Sequence, residues 1–320
     1  RFIELVIEKS SFDDKKIPLA SVAFNLTKRE VKKTPEIIAL LHKIIKGKGL
    51  SQTALKNYKL CPYRFYLTHI LGIEEPKEII EEPGPLEWGS AIHNALWNFY
   101  KEDFYGGVTA KKLEEAKEIL YKRLEQAIRE EIADKPKGVI FFDIEIYKKR
   151  LERFLQMEIG RFEKGYKIVS DILEKDLNYQ FNVNNIRVKL HGFIDRDEIY
   201  NERFCILDYK PRTPEKKTYT IGDEFTEFQL PLYALIISQG DFTKIGEIAY
   251  YEISKEPVIK PIIAANDIPE YLEDFKDKIL LPTIEELLDP TKNFCETSRP
   301  EYCEYCPYQH LCGVKDEQKY

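Results

Sequence analysis

The sequence lacks any run of about 18 apolar residues, so no part of it is built to cross a bilayer as a helix. It opens on "RFIELVIEKSSF", with no basic head, apolar block and small-residue cleavage site in succession. A secretory signal is therefore not expected, and a cytoplasmic location is. No Met starts the chain, from which we expect a segment of a longer protein. No Gly-x4-Gly-Lys-Ser/Thr loop occurs, which excludes a phosphate-cradling ATP motor within these residues. Basic charge is not in excess either. The 49 Lys and Arg against 55 Asp and Glu leave a net charge of −6, which argues against non-specific coating of nucleic acid. Local patches remain, in "KREVKK" (28–33), Lys148 to Arg150 and "KPRTPEKK" (210–217), and acids can serve to hold cations. Internal repeats and low-complexity tracts are missing too.

What is present is enough for one large core, or a core with a small appended domain: 320 residues, 43% of them apolar. The stretch "TPEIIALLHKIIK" (34–46) has helical spacing with Pro at its start, and Ser51 can cap a helix over "SQTALKNYKL". The aromatic "CPYRFYLTHILGI" follows, then an acidic, Pro-rich loop over 74–85. Helices are expected in "LEWGSAIHNALWNFYKEDF", over about 109–132 and over about 143–165. The period then changes from 3.6 to 2. "ILEKDLNYQFNV", "IRVKLHGFI" and "RFCILDYK" read as three successive strands, with Asn184-Asn185 as a tight turn between the first two. A helix ending at Gly240, a strand in "IGEIAYYEIS" and a last helix over "PEYLEDFKDKILLPTIEELLD" precede a cysteine-rich tail. The expected class is α/β or α+β.

One strand raises a chemical question, because "FCILDYK" (204–210) is built for burial yet ends in charge. Residues two apart on a strand share a face, so Asp208 and Lys210 stand side by side. "HGFIDRDEI" reads as a neighbouring strand that also ends in acid, at Asp195. Two carboxylates brought to one end repel, and a divalent cation relieves that repulsion. Lys210 beside it can stabilise charge on a phosphoryl oxygen. The plain alternative is a sheet-end salt bridge among Asp195, Arg196, Asp208 and Lys210. His93 lies on a semi-apolar helix face, either as a core residue or as a ligand, and Gly89 one turn earlier would permit close approach of another backbone. Gln229 and Tyr233, four apart on the later helix, face one side; Pro231 between them implies a helix start or a kink.

Six cysteines in such a chain are metal ligands or core thiols rather than disulfides. "CEYCPYQHLC" gives a Cys-x2-Cys-x5-Cys triple at Cys303, Cys306 and Cys312, with Cys61, Cys295 or His310 available as a fourth ligand. Spacing alone leaves structural zinc and an iron–sulfur cluster equally open. Cys205, in mid-strand, reads as a small hydrophobe.

Six stretches in order, "LSQTALKNYKLCPYRFYL", "WGSAIHNAL", "HGFIDRDEI", "ILDYKPRT", "QLPLYAL" and "CEYCPYQHLC", span residues 50–312. Together they resemble the PD-(D/E)XK nucleases, specifically the RecB-like group with an iron–sulfur staple, and among these the C-terminal nuclease domain of AddB-type helicase–nuclease subunits. The resemblance implies a restriction-endonuclease-like core, a mixed central sheet flanked by helices. It would comprise a lead segment over 1–49 and a nuclease domain over 50–320, with a helical insert at about 101–170 and an iron–sulfur tail at 295–320. It implies that His93, Asp195, Asp208 and the Tyr209 carbonyl bind Mg²⁺ or Mn²⁺, and that Lys210 is catalytic. Gln229 and Tyr233 would support the site and contact substrate, while Cys61, Cys303, Cys306 and Cys312 hold a [4Fe–4S] cluster. The expected reaction is in-line hydrolysis of DNA to a 5′-phosphate and a 3′-hydroxyl. It would be exonucleolytic and would serve double-strand-break repair, with an ATP-driven helicase subunit or domain supplying translocation. A stand-alone or CRISPR-associated RecB-like exonuclease, and an inactive iron–sulfur DNA-binding module, are the alternatives.

Overall fold

The computed structural model describes residues 29–74, 83–104, 107–132, 138–169 and 177–313. Most of the lead segment, most of the acidic loop and the start of the first expected strand (170–176) lie outside the described residues. In chain order the elements are β1 (Glu30–Val31), α1 (Pro35–Lys46), α2 (Gln52–Leu60), α3 (Pro62–Phe65) and α4 (Pro85–Asn98). Then come α5 (Ala110–Glu114), α6 (Lys117–Glu131), α7 (Val139–Glu163), β2 (Lys167–Ile168), β3 (Leu177–Val183) and β4 (Ile186–Gly192). They are followed by β5 (Arg196–Tyr200), β6 (Arg203–Lys210), α8 (Gln229–Ser238), β7 (Ile245–Glu252) and β8 (Val258–Pro261), and finally by α9 (Ile268–Asp274), α10 (Leu281–Leu288) and β9 (Phe294–Cys295). Among the described residues no helix is long and apolar enough to cross a membrane.

The fold is mixed α/β. A five-stranded sheet runs β2-β5-β6-β7-β8, with β6 and β7 parallel and the other pairs antiparallel. The parallel pair needs a crossover, and α8 supplies it. The strand period of two sorts side chains into two cores, one on each face of the sheet. Ile206, Ile248 and Tyr250 join α1, α2, α8, α9 and α10 on the first face. Leu207, Tyr209, Ala249 and Tyr251 join α4, α6 and α7 on the second. The helices of the 101–170 region thus cover the sheet's second face. Ser51 caps α2 by accepting from Ala54 N at 3.2 Å, and Asn184 and Asn185 take positive φ in the β3–β4 hairpin turn.

Two expectations are corrected here. Between residue 177 and α8 there are four strands rather than the expected three, because β5 intervenes: β3 and β4 pair with each other, and β5 is the antiparallel partner of β6. The β5–β6 turn is Asn201-Glu202, both at positive φ. Asp195 accordingly sits just before a strand rather than at the end of one. Gly89 does not serve a close backbone approach, since a Cβ there would meet nothing within 4 Å.

Candidate active site

Asp195 and Asp208 meet because of antiparallel register. Arg196 pairs with Leu207, so Asp195, the residue before β5, lies beside Asp208 of β6. Asp208 is fully buried on the α8 side of the sheet, where burial costs most for an unpaired charge. Gln229, the first residue of α8, donates from Nε2 to Asp208 Oδ1 at 2.5 Å and accepts at Oε1 from Lys210 Nζ at 3.0 Å. Lys210 Nζ stands 2.8 Å from Asp208 Oδ2 as its counter-ion. Tyr233, one turn after Gln229, brings its hydroxyl to 3.5 Å from Gln229 Nε2. Pro231 falls within the first turn of α8 and so does not kink it.

His93 arrives from α4 on the other face. Its Nε2 is 2.8 Å from the Tyr209 carbonyl oxygen and its Nδ1 is 3.1 Å from Asp195 Oδ2, which also accepts from Tyr209 N at 3.3 Å. A carbonyl and a carboxylate both ask the ring for a proton, so this arrangement favours imidazolium. Burial opposes that charge, yet the Asp195 hydrogen bond and the Asp195 and Asp208 charges raise the His93 pKa. Burial and the Asp195 charge push the Asp208 carboxyl well above the usual carboxylate range. Asp195, despite its own burial, is held below that range by His93. Burial opposes the Lys210 charge, but Asp208 outweighs it and raises the lysine. All six predicted side chains, His93, Asp195, Asp208, Lys210, Gln229 and Tyr233, are therefore brought to one sheet edge.

Arg196 does not join them. It turns to the opposite face, where it is 1% exposed and pairs with Glu158 and Glu198. Gly192 belongs to the site as well: a Cβ there would stand 2.6 Å from Tyr233 Cε1, so the tyrosine ring occupies the space that a side chain would need. A glycine inside a strand pattern was the available signal.

The donor set suits a hard divalent cation. Asp208 Oδ2 is buried, and Asp195 and the Tyr209 carbonyl add oxygens beside an imidazole. To offer a lone pair, His93 must give up one ring proton. Among the described residues, no group of three or more His, Cys, Asp or Glu side chains is gathered tightly enough to hold a metal ion.

At the far end of the chain, Cys61, Cys303, Cys306 and Cys312 line one small cavity, and Cys295 and His310 are not among its lining residues. None of the six cysteines is in a disulfide. Cys61 sits between α2 and α3 with Pro62 opening the next helix. The tail is held to this segment by Tyr308, whose hydroxyl donates to the Ile73 carbonyl at 2.7 Å and lies 3.1 Å from Thr68 Oγ1. β1 and β9 pair alongside. Burial raises the thiol pKa at Cys61, Cys303 and Cys312, the last to about 11.

Compared with known proteins, residues 49–313 match the family model of the PD-(D/E)XK nuclease superfamily. Uncharacterized protein RC0550 of Rickettsia conorii is 27% identical over 232 residues, 65% of this chain and 25% of that protein. Uncharacterized protein RT0391 of Rickettsia typhi is 25% identical over 252 residues, 72% of this chain and 27% of that protein. The chain thus spans about a quarter of the length of the curated relatives it matches. The crystal structure of SSO0001 aligns with 79% of this chain and 95% of its own at 13% identity, with a TM-score of 0.27.

Proposed function

This chain belongs to the PD-(D/E)XK nuclease superfamily, and from that premise we infer that it is a divalent-cation-dependent nuclease hydrolysing DNA at the edge where β5 begins and β6 ends. The observation that carries the reading is the convergence of His93, Asp195, Asp208 and Lys210 there, from both faces of the sheet. His93, Asp195, Asp208 and the Tyr209 carbonyl would hold Mg²⁺ or Mn²⁺. When bound, such an ion supplies neutralisation of phosphate charge and a more acidic water. Lys210, fixed by Asp208 and Gln229, stabilises charge developing on a phosphoryl oxygen. Gln229 orients carboxylate and ammonium at once, and Tyr233 buttresses Gln229. Water adds across the P–O3′ bond, leaving a 5′-phosphate and a 3′-hydroxyl.

Digestion of end-labelled linear and circular, single- and double-stranded DNA with Mn²⁺ or Mg²⁺ tests this. Cleavage that a chelator stops, and that Lys210→Ala lowers by about a hundredfold or more, is the expected result. No cleavage of any of these DNAs with either ion would overturn it.

The wider role follows from the six ordered motifs and their likeness to AddB-type nuclease domains. In this reading the chain trims DNA ends beside an ATP-driven helicase subunit or domain during break repair, and mainly as an exonuclease. The quarter-length match to the Rickettsia proteins is in keeping with a nuclease region of a longer polypeptide. Cys61, Cys303, Cys306 and Cys312 would bind a [4Fe–4S] cluster, a reading supported by the cavity they share. Iron and acid-labile sulfide at about four each per chain are then expected in protein purified without air. Stoichiometric zinc with no sulfide would overturn the assignment.

A further inference from the structure

The cleft beside the carboxylates has an aromatic wall for which hydrolysis itself has no need. Phe193 stands in the three-residue link between β4 and β5, two residues before Asp195, and is 67% exposed. Its neighbour Ile194 turns into the core. Trp97 follows His93 by one turn of α4, with Lys101 Nζ 4.1 Å from the centre of its ring. His93, Trp97, Phe193, Asp195 and Tyr209 line a single cleft of about 430 Å³. We propose that Phe193 stacks an unpaired nucleobase in this cleft, so that the preferred substrate is single-stranded DNA rather than an intact duplex. The proposal rests on the nuclease reading and names the substrate form of the same site.

An aromatic ring left in water at this position gains nothing from the core, because Ile194 fills the inward place in the link. Residues two apart in a chain lie no more than about 7 Å from each other, and Phe193 and Asp195 line the same cleft, which sets Phe193 within one or two nucleotides of a phosphate held at Asp195. Within a duplex both faces of each base are covered, so only an unpaired base offers its face to Phe193 without the few kcal/mol cost of unstacking. Lys101, over the Trp97 ring that lines the cleft, adds positive charge near an acidic centre.

The test is binding of a single-stranded oligonucleotide carrying 2-aminopurine near its end, in chelator, where no turnover occurs. With the wild type, fluorescence is quenched by stacking. With Phe193→Ala the quenching is lost and binding weakens about tenfold or more, while Phe193→Trp keeps both. A blunt duplex of the same length distinguishes the wild type from Phe193→Ala little. In Mn²⁺ the alanine variant raises KM for single strands and changes kcat little, as expected for binding uniform along the reaction. An unchanged thermal midpoint verifies that the exposed site tolerates alanine. Equal quenching and affinity in wild type and Phe193→Ala, or no quenching by the wild type, overturns the proposal while leaving the nuclease reading intact. That reading falls only if the wild type cleaves no DNA.

Discussion

Asp208→Asn is expected to lower metal-dependent cleavage of DNA by on the order of a thousandfold without loosening the fold. The amide is nearly isosteric and keeps an oxygen to accept from Gln229 Nε2, so the hydrogen bond at 2.5 Å has a successor. What it removes is a charge that burial and a second carboxylate disfavour and that Lys210 Nζ, 2.8 Å away, favours. The two effects oppose each other, so the thermal midpoint in chelator should stay close to that of the wild type. Mn²⁺ should raise the midpoint of the wild type by binding the folded state alone, and leave that of the variant unmoved. The pH dependence has a definite sign. The His93 pKa is raised, so its protonated form gains as pH falls and competes with a cation for the ring nitrogen. The Mn²⁺-induced rise in the wild type should shrink from pH 8 towards pH 6. A variant that cleaves within tenfold of the wild type, or that still responds to Mn²⁺, would remove Asp208 from the proposed role.

How much of this was readable beforehand divides along physical lines. α1 and α2 were legible because their apolar residues repeat at the helical period, and α8 and β7 because they are short apolar runs buried on both sides. The Asn184-Asn185 turn was legible because few residues accept positive φ without strain. β5 was not, since Arg196, Asp197 and Glu198 look like a solvated run and are in fact buried. Hydrophobic periodicity cannot detect a strand whose inward groups are charges neutralised by partners 37 or 38 residues earlier, Arg161 and Glu158. That oversight shifted Asp195 from a strand's start to a strand's end, yet the site survived it, because an antiparallel turn at Asn201-Glu202 returns the chain to the same edge. The site was more legible than the fold around it. Short-range spacings carried it, with Asp208 two before Lys210 and Gln229 four before Tyr233, and each spacing maps directly to a shared face. The role of Phe193 had no such signature, because exposure is a property of the folded surface.

Arg196→Met is expected to destabilise the protein by about 3–5 kcal/mol, the usual cost of stripping the partner from a buried charge. Arg196 lies on the second face of the sheet, with Glu158 and Glu198 both fully buried against it. Its Nε donates to Glu198 Oε1 at 2.8 Å and its Nη1 to the Tyr209 hydroxyl at 3.0 Å, while Tyr100 donates to Glu158 at 2.5 Å. Arg161 also reaches Glu198, at 2.5 Å, so that two guanidiniums balance two buried carboxylates. Without Arg196, Glu158 would keep only a tyrosine hydroxyl, and a neutral donor does not offset a carboxylate out of water. Arg196→Lys should recover little, since one ammonium cannot span the two carboxylates and the tyrosine as a planar fork does. Glu158→Met combined with Arg196→Met should be less damaging than the sum of the two, because the charge left unpaired is gone. Urea unfolding midpoints for the four proteins measure this, and additivity within about 0.5 kcal/mol would show that the pair is not coupled. The same variants reach the active site through one residue. Tyr209 carries its hydroxyl into this network and its backbone to His93 and Asp195. Loss of Arg196 should therefore lower kcat more than it raises KM, as a displaced ligand set would, even at temperatures where the variant remains folded.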